Sequence, residues 1–167
     1  MSHLEDLIAE YLERQGFMIR RNTKVGKRKR GGWEMELDVV GFHPQDNKLV
    51  HYEPSFDALT WGKREERYKK KLELARKYMF TELFPWLPPS TLIEQIAVFY
   101  NHPRGRDAIA GAKIMSIDEL VAEIRTKVVA FGPMIRNAIS EQYPLLSTIQ
   151  MSHVGYYRSI VAPTRAL

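Results

Sequence analysis

Between Trp33 and Ser55 the chain runs W-E-M-E-L-D-V-V-G-F-H-P-Q-D-N-K-L-V-H-Y-E-P-S, the pattern of two β-strands joined by a polar turn. Met35, Leu37 and Val39 alternate with Glu34, Glu36 and Asp38, which is the period of a strand with one apolar and one acidic face. Pro44-Gln45-Asp46-Asn47-Lys48 has hairpin-turn chemistry. In the strand that follows, Leu49, His51, Glu53 and Ser55 share one side, and Val50 and Tyr52 take the other. Antiparallel pairing of the two strands places Asp38 beside Glu53. Two adjoining carboxylates suit a hard divalent cation, because Mg²⁺ is held by one or two carboxylates together with water and phosphate.

The 167 residues predict one domain, 1–167, with a core over about 3–120 and a C-terminal helical extension over about 121–167. No cysteine is present, so disulfides and thiolate metal sites are excluded. No apolar run has the length of a membrane helix, and the N-terminus lacks the basic-then-apolar order of a signal peptide. A cytoplasmic protein that does not enter a membrane is expected.

The formal net charge of +5 matters through its distribution. Residues 20–30 hold Arg20, Arg21, Lys24, Lys27, Arg28, Lys29 and Arg30 with no acid among them. Gly26, Gly31 and Gly32 punctuate the run, which reads as a flexible basic loop. Taken alone it is a solvated loop; leading into an acidic strand, it suits a phosphodiester substrate, with Lys24, Lys27, Arg28, Lys29 and Arg30 as backbone contacts. A long helix is predicted over about 61–82, with Thr60 as its cap and Tyr68, Leu72, Ala75 and Met79 as its apolar stripe. Up to position 77 it carries eight Lys or Arg against three Glu, an excess as large as the net charge of the chain. Charged helix faces are usually only solvated; here Arg64 and Lys70 are candidate nucleic-acid contacts. Arg104 and Arg106, in the loop after an apolar strand at Ile93–Tyr100, are two more, against the reading of that segment as an ordinary polar loop.

A helix over 3–15 follows Ser2 or His3 and closes at Gly16, and Phe17-Met18-Ile19 begins a strand. Pro85 to Pro89 breaks the chain, and Lys113-Ile114-Met115 is a short strand. Ser116-Ile117-Asp118-Glu119 has capping-box form and opens a helix to about Val129. Another helix is predicted from Met134 to about Gln142. The stretch 143–167, with Tyr156, Tyr157 and Arg158, has no clear pattern; covering the sheet, a dimer contact and substrate choice are all open to it. A single His such as His153 is structural far more often than catalytic. No Walker-type loop, HxxEH or CxxC spacing occurs.

The order Glu36-Leu37-Asp38, a hairpin, then an apolar strand ending in Glu53-x-Ser55 resembles the PD-(D/E)xK nuclease superfamily, particularly its restriction-endonuclease-like and Holliday-junction-resolvase-like members. The closing Leu12-Glu13-Arg14-Gln15-Gly16-Phe17 of the first helix resembles the same family. The resemblance implies an α/β fold with a restriction-endonuclease-like core, a mixed central sheet flanked by helices in αβββαβ order. It also implies that Asp38 and Glu53 bind Mg²⁺ or Mn²⁺, with Glu5 or Glu36 completing the carboxylates; Glu10 is an alternative to Glu5. The family places a Lys two residues after the Glu, where this chain has Ser55, preceded by Pro54. Some members take that Lys from the following helix, which nominates Lys63, Lys69 and Lys70, while the Ser55 hydroxyl could orient a water. Two functions follow. One is a metal-dependent endonuclease acting on DNA, with RNA as an open alternative. The other is a non-catalytic nuclease-fold protein that binds nucleic acid, as a homodimer or within a larger complex. A third reading treats the acids as plain polar surface.

Overall fold

The computed structural model describes residues 2–57 and 59–153. The chain divides into two compact units, Met1–Val121 and Ala122–Leu167. In the first, α1 (His3–Arg14) precedes β1 (Met18–Lys27), β2 (Trp33–His43) and β3 (Lys48–Ser55). Next come α2 (Trp61–Tyr78) with one π-helical turn, Met79–Leu83, and β4 (Ile93–Phe99), β5 (Ala108–Ile109) and β6 (Ala112–Ser116). The six strands form one mixed sheet in the order β1-β2-β3-β4-β6-β5. β3 and β4 pair parallel, as do β4 and β6; the other neighbours pair antiparallel. This is a mixed α/β architecture.

Local chemistry accounts for these elements. Ser2 caps α1 in a capping box: its hydroxyl accepts from the Glu5 N–H, and the Glu5 carboxylate accepts from the Ser2 N–H. The β2–β3 register runs from His43↔Lys48 to Val39↔Tyr52, closed by a turn in which Asn47 takes φ 48°. Asparagine is among the few residues that tolerate that left-handed conformation. The predicted helical stripe is buried in full: Tyr68, Leu72, Ala75 and Met79 all lie against the core. Ala75 and Met79 join Val40, Phe42 and Leu49, and Tyr68 and Leu72 join Ala97 and Phe99. α2 therefore covers the sheet face that carries Val40, His51, Gln95 and Ala97. β4 is central, as its apolar run predicts, and Ile96 to Phe99 are buried.

Four expectations need correction. Residues 20–27 are not loop but most of β1, which pairs with β2 from Met18↔Phe42 to Lys27↔Trp33; the turn is only 28–32. β1 is an edge strand, and edges tolerate or favour lysine and arginine that would be expelled from a central strand. The π-type turn at 79–83 ends the regular α2 at Tyr78, earlier than the predicted 82. Thr60 precedes α2 in an extended conformation, but its side chain makes no cap hydrogen bond. In the second unit, α4 spans only Met134–Asn137, and the unassigned stretch contains a helix, α5 (Pro144–His153).

The capping box at Ser116 forms as expected, with Ser116 N–H to Glu119 Oε2 at 2.7 Å and Glu119 N–H to Ser116 Oγ at 3.1 Å, and α3 runs Ile117–Val129. Gln150 of α5 holds the second unit together: it accepts from Ile139 N–H and donates to the carbonyls of Gly132 and Asn137. Tyr156, Tyr157, Arg158 and the His153 side chain lie outside the described residues. Among the described residues, no helix is long and apolar enough to cross a membrane.

Candidate active site

The β2–β3 pairing stops at Val39↔Tyr52. One step further the same register carries Asp38 to Glu53, at the point where the two strands part. Pro54 sits just beyond, in register with Val98 of β4. A proline carries no N–H, so within a sheet it is confined to such places where a ladder has ended.

Into this opening comes a lysine from α2. Lys71 Nζ lies 3.4 Å from Asp38 Oδ2 and also contacts Glu53 Oε2. Lys63, Lys69 and Lys70, nominated from the sequence, are exposed and elsewhere on the helix; Lys71 is the residue that meets the acids. Its position follows from helical phase. It lies three residues after Tyr68 and four before Ala75, both buried, so it stands on the inner arc of α2.

Glu53 is the more deeply set acid, its side chain 1% exposed. His51, two residues earlier on the same face, places Nε2 2.7 Å from Glu53 Oε1. The Gln95 amide stands 3.4 Å from His51 Nδ1 and donates to the Leu72 carbonyl at 3.3 Å, fixing the imidazole from behind. Tyr68 O–H donates to the Glu53 carbonyl at 3.1 Å. Glu53 thus has an imidazole on one oxygen, an ammonium on the other and a phenol on its backbone. His51, Tyr68, Lys71 and Gln95 were not chosen as site residues from the sequence. His51 was detectable by its alternation with Glu53, and Lys71 by its helical phase.

Electrostatics separate the two acids. Burial, then the charge and hydrogen bond of Glu53, push Asp38 up to about 8 against the pull of Lys71. Burial also works to raise Glu53. The hydrogen bond and positive charge of His51, the Lys71 ammonium and the Asp38 hydrogen bond outweigh it and bring Glu53 to about 2. Lys71 is raised: burial opposes its charge, but the carboxylates of Glu53 and Asp38 prevail. Without a cation the pair therefore favours holding one proton, drawn toward Asp38 while Glu53 stays ionised.

The other predicted acids stand apart from this pair. The Glu5 carboxylate is spent on Ser2 and on the Asn22 amide, 2.7 Å away, although its charge is still felt at Asp38. Glu10 is buried within α1. Glu36 is exposed and stands opposite Lys24 in the β1–β2 register. Among the described residues no group of three or more acids and histidines converges to hold an ion. The donor set is therefore two carboxylates, and it fits a cation: the Lys71 ammonium, a positive charge in contact with both, stands in for one.

Ser55 has no proton left to donate to a water. Its hydroxyl donates to Asp57 Oδ2 at 2.7 Å, so its proton is committed to the loop after β3. Arg64 is committed too: Nε and Nη2 grip Asp57 at 3.0 and 2.8 Å, which makes it a clamp on that loop rather than a free nucleic-acid contact. These bonds, against burial, keep Asp57 below the usual carboxylate range. Lys24, Lys27 and Arg28 to Arg30 are exposed along the end of β1 and its turn, and Lys70 and Arg104 are exposed. Arg106 is exposed as well, its guanidinium 4.9 Å from the centre of the Trp61 ring.

No protein-family model matches the chain, and no curated protein matches it. A solved structure described as a protein of unknown function, AF1548, is similar at 14% identity, over 92% of this chain and 98% of its own, with a TM-score of 0.40.

Proposed function

We propose that the chain is a cytoplasmic, Mg²⁺- or Mn²⁺-dependent endonuclease of restriction-endonuclease-like fold that hydrolyses DNA phosphodiester bonds. The observation that carries this reading is Lys71, supplied by α2, in contact with Asp38 and Glu53 where the Ser55 position lacks a cation. A carboxylate pair with a part-buried lysine in contact with it has the donors that metal-assisted hydrolysis needs, and that combination supports the reading.

Asp38 and Glu53 would hold the ion, which when bound supplies Lewis-acid polarisation of a phosphoryl oxygen and a more acidic water. The chain's own groups have separate tasks. His51 holds Glu53 ionised and fixes one of its oxygens. Asp38 gives up its proton to become a second anionic donor. Lys71, released from bridging the acids, keeps a positive charge where negative charge grows on the phosphate. The exposed cations at 24–30 grip the strand's backbone without reading its sequence.

Nicking of supercoiled plasmid tests the reading. The wild type should cut with Mg²⁺ or Mn²⁺ and not with EDTA, and Asp38→Asn, Glu53→Gln and Lys71→Ala should each abolish cutting in a folded protein. Lys69→Ala should cut normally. One observation favours the second reading, a non-catalytic nucleic-acid-binding protein: Lys71 already neutralises the acid pair without an ion. A folded wild type that binds DNA but cuts with neither metal would establish that reading in place of the first.

A further inference from the structure

The C-terminal ends of β3 and β4 form a second feature, distinct from the acid pair. The parallel register ends at Ser55↔Phe99, so the next residues in line are Phe56 and Tyr100. Both are aromatic and both face water, Phe56 64% and Tyr100 73% exposed. Two bare rings at the ends of adjacent strands, whose preceding residues are part-buried or buried, cost solvation without contributing to the core.

Directly after each ring the chain enters one pocket of about 540 Å³, lined by Asp57, Leu59, Trp61, Arg64, Asn101 and His102 with Pro103. Its lining pairs Arg64 with Asp57, and two further arginines border it: Arg67, 3.6 Å from Asp57, and Arg106, its guanidinium 4.9 Å from the centre of the Trp61 ring. Three arginines thus meet one carboxylate: Asp57 holds Arg64 at 2.8 Å and Arg67 at 3.6 Å, and the excess charge lies at the exposed Arg67 and Arg106.

Exposed rings, each one residue before the lining of a pocket bordered by excess arginine, match one nucleotide, whose base has a face to stack and whose phosphate is anionic. Bases inside a duplex already stack on their neighbours and cannot offer that face unless extruded. Asp57 is four residues beyond Glu53, a span of at most ~14 Å, so a strand crossing the acid pair reaches this pocket.

We propose that the ends of β3 and β4 bind an unpaired nucleotide, its base on Phe56 and Tyr100 and its phosphate at Arg67 and Arg106. The substrate is then single-stranded or locally unpaired DNA rather than continuous duplex. This rests on the nuclease reading above and specifies the substrate class of the same site.

Fluorescence anisotropy in EDTA separates the two ideas, because it measures binding without cleavage. The probes are a labelled 20-nucleotide oligothymidylate and a blunt duplex of equal length. Phe56→Ala and Tyr100→Ala should each weaken single-strand binding about tenfold and change duplex binding less than about twofold. Phe56→Leu should lose as much as Phe56→Ala, since the ring and not its apolar area carries the contact, whereas Tyr100→Phe should bind as the wild type does. Leu92→Ala, at an 84% exposed position before the other end of β4, is the control and should change nothing. Equal effects on both probes, or none, would overturn the nucleotide site and leave the nuclease reading standing. A wild type that binds neither probe at low salt would overturn both. Normal binding together with absent plasmid nicking would remove catalysis and keep this site.

Discussion

Lys71 Nζ lies 3.4 Å from Asp38 Oδ2, although the two residues are 33 positions apart and belong to a helix and a strand. The contact exists because β2 and β3 part after Val39↔Tyr52 and leave room for a side chain from above. It ties α2 to the sheet by charge where their apolar packing gives way to acids.

Removing that ammonium should cost more than removing any other lysine on the helix. Lys71→Ala strips the ammonium from one oxygen of the buried Glu53 carboxylate and leaves it only His51, a loss of up to about 3 kcal/mol of the kind seen when one partner of a buried pair is deleted. Lys63→Ala, Lys69→Ala and Lys70→Ala, all at exposed positions, should stay within about 0.5 kcal/mol. Urea unfolding reads the difference. Lys71→Met keeps the aliphatic stem and should recover only the packing part. A Lys71→Ala protein as stable as Lys69→Ala would show that the ion pair contributes nothing.

His51 should behave as a positioning residue for Glu53. Both side chains are fully buried, and Nε2 meets Oε1 at 2.7 Å. His51→Leu fills similar space but orphans a buried carboxylate oxygen, so we expect a loss of about 2–3 kcal/mol. His51→Gln can still donate an amide hydrogen and should recover part of it. Mn²⁺ affinity adds a readout that mere packing would not move: it should fall in His51→Leu and be partly restored in His51→Gln. Unchanged stability and affinity in both variants would remove His51 from the site.

The exposed cations at the end of β1 should set salt dependence. Lys27, Arg28, Lys29 and Arg30 changed together to Glu should weaken DNA binding regardless of sequence. The slope of log affinity against log salt should also become shallower by about 0.9 for each duplex phosphate that the protein no longer neutralises. The fold should be intact, since all four side chains face water. An unaltered slope would mean that DNA does not touch this strand end.

The hairpin was legible in the sequence because alternation and turn chemistry are local signals. Asp38 and Glu53 fall one register step past the last pair, where counting from the turn puts them. Lys71 was obscured by its neighbours: inside Lys69-Lys70-Lys71 a lysine reads as solvent-facing, and only its phase relative to Tyr68 and Ala75 sets it apart. β1 was hidden for a related reason. From Arg20 on it lacks apolar alternation because it is a sheet edge, so hydrophobicity reports loop while backbone pairing makes strand. The fates of Ser55 and Arg64 depend on Asp57, whose role is decided by how the chain turns after β3 rather than by any spacing.

The acid pair itself should set a pH dependence that a metal ion rewrites. Asp38 moves from 3.8 up to about 8 in the folded protein, so the fold holds a proton that the unfolded chain releases. That contribution is complete below pH 3.8 and is lost as pH rises through about 8. Glu53 moves from 4.5 down to about 2, so its contribution is complete above pH 4.5 and is lost as pH falls through about 2. Between about pH 5 and pH 9 the wild type should therefore lose stability at this site, through Asp38 alone. Asp38→Asn keeps a hydrogen-bond donor for Glu53 and carries no titrating charge; its stability should be nearly flat over that range and should equal or exceed the wild type at pH 9. A divalent cation must displace the Asp38 proton, so its apparent affinity should rise about tenfold per pH unit until about pH 8 and then level. At a Mn²⁺ concentration about 100 times its dissociation constant, the wild-type melting temperature at pH 8.5 should rise by about 5–10 °C. Asp38→Asn should not respond. A wild type whose melting temperature ignores Mn²⁺ at pH 8.5, or an Asp38→Asn protein that loses stability with pH as the wild type does, would show that these two carboxylates are not a cation site.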